Sequence, residues 1–114
     1  MKTVPLFIAL LVAGCDAPCS NRFLHESASP DGKYVASIFE RNCGATTPYV
    51  RVVSLREVSS KFDPARNEDW VFTVHGRANI RLTWVDKSEL KISSSFTGDA
   101  PTHRAKWRDV KIIY

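Results

Sequence analysis

The chain has little that carries chemistry. Apolar residues nowhere recur at three- and four-residue intervals over a useful length, and the best helical window, Ser54 to Phe62, is short and shares the pattern of a strand. A helical fold is therefore not expected. Runs of like charge are missing too: Arg51, Arg56, Arg66, Arg77, Arg81, Arg104 and Arg108 are interleaved with acids, so there is no basic stripe of the kind that nucleic acid requires. There is no Gly-x-Ser-x-Gly elbow, no His-x-x-x-His pair, no glycine-rich phosphate loop and no EF-hand pattern. His25, His75 and His103 lie far apart and read as surface residues. Glu40 and Asp86 could be combined as a glycosidase-like pair, but a chain with 12 acids offers many such combinations. These absences lead us to expect no enzyme, no metal and no cofactor.

One long apolar run is present, at the start. Lys2 and the terminal amine precede Val4 to Ala13, which carry no charge, in the order of a secretory signal. The run stops at Gly14 and Cys15, short of the about 20 apolar residues that span a bilayer. Leu11-Val12-Ala13-Gly14-Cys15 resembles the lipobox of bacterial lipoproteins. The resemblance implies cleavage after Gly14, a diacylglycerol on the Cys15 thiol and an acylated new amine, as with palmitate. Two or three chains would then hold the protein at the membrane, where one alone binds only marginally. An ordinary secreted protein, cut at another small-residue site, is the alternative. Asp16 after the cysteine resembles the enteric signal that keeps lipoproteins in the inner membrane, on its periplasmic face.

The organisation expected is a signal peptide over 1–14, a lipidated tether over 15–29 and a β domain over 30–114. Cleavage leaves 100 residues with 15 basic and 12 acidic side chains, a net charge of +3 and enough chain for one core. The tether reading rests on Pro18, Ser20, Asn21, Ser27 and Ser29, with Phe23 and Leu24 its only large apolar residues. With Cys15 assigned to lipid, Cys19 and Cys43 remain in a compartment that permits disulfides, and their pairing is expected. Two free thiols or a metal site are the alternatives, though the spacing of a metal site is missing.

From Lys33 the pattern has period two. Tyr34, Ala36 and Ile38 alternate with Val35, Ser37 and Phe39, both sets fairly apolar, which predicts a central strand. Further strands are predicted over 49–55, 70–75 and 79–85, the last with Ile80, Leu82 and Trp84 on one face, then over 90–93 and 107–114. Ser29-Pro30-Asp31-Gly32 has turn chemistry. Short strands parted by Gly, Pro, Asn and Asp predict an all-β fold, a single small antiparallel meander as a sandwich or open barrel.

Ser29 to Ser37, followed later by Trp84-Val85-Asp86 and Leu90-Lys91-Ile92, resembles one blade of a β-propeller, but one blade buries too little to stand alone. Ser29 to Tyr34 together with Cys43-Gly44-Ala45-Thr46-Thr47 resembles a group of small bacterial lipoproteins and secreted proteins without assigned activity. That resemblance implies fold and location and is silent on function.

Gly44, Thr46 and Thr47 form the most distinctive loop and are the candidate binding residues, unless Gly44 merely permits a turn and the threonines satisfy local backbone. Trp70, Trp84 and Trp107 are expected in the core or at its hydrogen-bonded edge rather than as a sugar-stacking platform. The function expected is a non-enzymatic periplasmic interaction module, anchored in the membrane through lipid, with an envelope protein or toxin as partner. Binding of a small polar or cell-wall ligand at the 43–48 loop is the alternative.

Overall fold

The computed structural model describes residues 19–44, 49–95 and 100–114. Within them nine strands form two sheets. The first holds β1 (Ser20–Ala28), β2 (Tyr34–Asn42), β3 (Val50–Glu57), β4 (Trp70–His75) and the two-residue β7 (Thr102–His103), side by side in that order. The second holds β5 (Ile80–Asp86), β6 (Glu89–Ser94), β9 (Val110–Ile113) and β8 (Lys106–Trp107). The only helical turn among the described residues is Asn67–Asp69, ahead of β4. The fold is all-β, and neither sheet closes into a barrel.

The predicted central strand is central. β2 lies between β1 and β3, and Tyr34 through Glu40 are all buried, as the two apolar faces of that segment require. Residues 20–28, expected as tether, instead form β1 and pair with β2 from Ser20 opposite Asn42 to Ala28 opposite Val35. Most of β1 is exposed. An edge strand whose side chains face water needs no apolar alternation, so the main-chain ladder forms without a period-two signal. A bulge between Phe23 and His25 shifts the register and turns Leu24 against the core.

The Ser-Pro-Asp-Gly-Lys-Tyr segment builds the β1–β2 turn. Gly32 takes φ +71°, its N–H donates to the Ser29 carbonyl at 2.8 Å, and the Tyr34 N–H donates to Ser29 Oγ at 3.0 Å. The Ser29 hydroxyl donates to Asp31 Oδ1 at 2.7 Å. Each polar side chain satisfies backbone or a neighbour, so the most recognisable motif of the chain is accounted for by turn chemistry.

β1 to β4 form the predicted meander, but the chain does not continue as one. After the β5–β6 hairpin it returns to the first sheet as β7 and then re-enters the second, where β9 runs parallel to β6. The strand predicted over 107–114 is split by a tight turn at Arg108, which takes φ +51°. A side chain rarely adopts that conformation, so no glycine or asparagine marks the break.

The core lies between the sheets. Tyr34, Ala36, Ile38, Val53, Leu55, Phe72 and Val74 face Leu90, Ile92, Trp107, Val110 and Ile112. The three indoles sit where expected. Trp107 is buried and donates to Asp69 Oδ1 at 3.0 Å; the half-buried Trp70 donates to the Pro64 carbonyl at 3.2 Å; the half-buried Trp84 crosses from β5 to the Ser27 carbonyl of β1 at 3.0 Å. The outer face of the first sheet is also covered, because Phe62 from the β3–β4 connection packs edge-on against Phe23 and Phe39.

Tyr34 also ties β2 to the β8–β9 turn, its hydroxyl donating to Asp109 Oδ1 at 2.7 Å. That hydrogen bond is the main reason the Asp109 carboxyl titrates below its ordinary value of 3.8. A lowered carboxylate pKa stabilises the fold above the unfolded value of about 4 and loses that contribution as pH falls through the folded value. Tyr34→Phe should therefore be less stable than the parent at neutral pH, with the difference shrinking below about pH 4. Urea unfolding of both proteins across that range checks it, and a difference independent of pH would contradict it.

Candidate functional site

Of the expected site residues, Cys19, Cys43 and Gly44 are described, and they fall at one end of the first sheet. Cys19 and Cys43 are joined, with Cα atoms 4.1 Å apart, one step outside the first ladder pair of β1 and β2. Gly44 follows, exposed and at φ +133°, its N–H donating to Asn42 Oδ1 at 3.1 Å. The side chain of Asn42 thus turns the chain out of β2, and the positive φ requires glycine. Thr46 and Thr47, the rest of the proposed binding loop, lie outside the described residues, as do Cys15 and the signal segment.

Beside the disulfide the sheet ends in a charge cluster. Glu40, 5% exposed, has Arg51 Nε and Arg77 Nε each 3.3 Å from its Oε1. Arg51 also donates to the Ala78 carbonyl at 2.8 Å, and Arg77 lies over the Tyr49 ring at 4.1 Å. Two guanidiniums compensate the carboxylate that burial would otherwise penalise. Asp86 does not join it. Ala78 is at this end, whereas Asp86 accepts from Ser88 in the β5–β6 turn, about 25 Å further along an extended strand. The suggested Glu40 and Asp86 pair is thereby ruled out.

The histidines are scattered. His25 is exposed on β1, His75 is exposed at the end of β4, and His103 stacks on Tyr114 with ring centres 3.7 Å apart. Among the described residues no group of three His, Cys, Asp or Glu side chains is placed to hold a metal ion.

A cleft that the sequence reading missed lies at the opposite end. β4 begins at Trp70, opposite Ser54, so Leu55 to Glu57 of β3 have no β4 neighbour, and the 58–69 connection leaves a space of about 290 Å³ beside them. Arg56, Lys61, Arg66 and Arg108 line it with Glu57, Asp63 and Asp69. Arg108 pairs with Glu57 at 2.6 Å and Arg66 with Asp69 at 2.8 Å. Arg56 reaches Glu26 through Nη2 at 3.2 Å, while its Nε is buried without a hydrogen-bond partner. Ser37 Oγ, buried and likewise without a partner, is on the same sheet face two residue pairs along the ladder. Spare donors of this kind suit a small carboxylate or carbonyl oxygen. The available signal was Ser54 and Arg56, polar residues alternating with Val53 and Leu55 along the second half of β3.

Comparison with protein-family models, with curated proteins and with solved structures finds no match. The functional reading therefore rests on the residues of the chain itself.

Proposed function

We propose that this chain is an exported bacterial lipoprotein, anchored by Cys15 to the periplasmic face of the inner membrane, and that its β domain is a non-enzymatic module for binding another envelope protein or an incoming toxin. The observation that carries the reading is the Cys19–Cys43 disulfide. Disulfides persist in oxidising compartments and are rare in the cytosol, so the bond supports export. It also accounts for two of the three cysteines, and the third stands in the lipobox segment with the charge, apolar run and small residues that lipid attachment needs.

Cys15→Ser tests the anchor. We expect the variant to accumulate as uncut precursor, while the parent partitions entirely into the detergent phase as the shorter form. Normal processing and equal partition of the two proteins would sink the proposal.

A second reading, capture of a small polar or cell-wall ligand, is favoured by the buried Arg56 Nε at the cleft rather than by the 43–48 loop first considered. Native mass spectrometry of the protein recovered from envelope extract separates the two, since a bound small molecule supports the second and a co-purifying protein the first.

A further inference from the structure

Charges that alternate along the sequence are sorted in space. At the disulfide end lie Arg22, Arg41, Arg51, Arg77 and Arg81, and the only acid among the described residues there is Glu40, buried beneath two of them. The other ten described cations share the rest of the molecule with nine acids, among them Asp31, Glu57, Asp86 and Asp109 in or beside the turns of the far end. All five cations of the disulfide end are arginine, although the described residues also contain six lysines. Arg22 and Arg81 are exposed, and so is Arg77, which lies on the half-exposed Tyr49 ring.

The same end is the one closest to the proposed anchor. Cys19 is fixed to β2 by the disulfide, and only three residues, Asp16, Ala17 and Pro18, lie between it and Cys15. Covalent geometry limits that link to about 14 Å. A domain held so short keeps its disulfide end near the surface, where its arginines can come within a Debye length, about 8 Å, of the headgroups.

We propose that this arginine end faces the membrane and binds the phosphate groups of anionic phospholipids, with Tyr49 at the level of the headgroups; the proposal rests on the lipid anchor inferred above. Guanidinium is weakly hydrated and binds phosphate oxygens with two parallel N–H donors, which an ammonium cannot do. Aromatic rings with a polar tip favour the same interfacial depth. The module is thereby oriented, with its cleft, at the far end of the strands, turned toward the periplasm.

The test uses the processed lipoprotein, purified in detergent and reconstituted into vesicles of phosphatidylglycerol with phosphatidylcholine or of phosphatidylcholine alone. Arginines are modified with phenylglyoxal and read by peptide mass spectrometry. We expect Arg22 and Arg77 to react about fivefold more slowly on the anionic vesicles than on the neutral ones, as about 1 kcal/mol of attraction per arginine implies. High salt should restore them, and Arg104 and Arg108 should react alike on both surfaces. Equal rates at Arg22 and Arg77 on the two vesicles, or slowing that high salt leaves intact, would overturn the proposal while the anchor stands. A protein that fails to stay with either vesicle overturns the anchor and the orientation together.

Discussion

Trp107→Ala is expected to lower the stability of the domain by about 3 to 5 kcal/mol, the range for truncating a buried aromatic side chain. The ring is 3% exposed and packs edge-on against Tyr34 with centres 5.2 Å apart. Its N–H satisfies Asp69 at 3.0 Å, the same carboxylate that pairs with Arg66. Truncation would open a cavity where β8 is fastened between the sheets and would leave Asp69 short of a donor. Against a total stability of about 5 to 15 kcal/mol, the loss threatens folding at growth temperature. Trp107→Phe keeps much of the packing and removes only the hydrogen bond, so it should cost less. Urea midpoints measure both, and a loss below about 1 kcal/mol for the alanine variant would place the ring outside the load it is assigned here.

Loss of the disulfide is expected to be nearly as costly. The bond closes a loop with a sequence separation of 24, and in the chain-entropy account such a loop contributes about 3 to 4 kcal/mol by restricting the unfolded chain. It also holds β1, an edge strand most of whose side chains are exposed. Replacing Cys19 and Cys43 together by alanine should therefore lower the midpoint of unfolding strongly and fray β1 first, visible as faster amide exchange from Asn21 to Phe23 than from Ile38 to Glu40. The parent, unfolded without reductant, should expose no thiol from this pair. Equal stability of the double variant and the parent would contradict the account.

What could be read in advance follows from how each residue is used. β5 and β6 bury alternate residues and β2 to β4 bury continuous runs rich in β-branched and aromatic residues, so both kinds of strand are announced by the sequence, and Trp84 and Trp107 were legible as large apolar residues in strand segments. β1 hides because its side chains face water. The β8–β9 turn hides because Arg108 adopts a positive φ without glycine. The parallel pairing of β6 with β9 depends on contacts between distant segments, for which the local sequence carries no mark. The disulfide was legible once Cys15 was set aside. The cleft was not, since its wall is the part of β3 left without a neighbour where β4 starts late. The arginine end was also invisible, because its members are spread from Arg22 to Arg81 among acids, and only the up-and-down course of the strands brings one sign of charge together.

The anchor at Cys15 is the claim on which location, orientation and partner class all depend, and the mass of the mature amino-terminal peptide tests it most directly. Protein extracted from membranes and digested should lack residues 1–14 and should yield a first peptide beginning at Cys15, heavier than its sequence by a diacylglyceryl group and an amide-linked acyl chain. A first peptide of unmodified mass, or one beginning at any residue other than Cys15, would contradict the account.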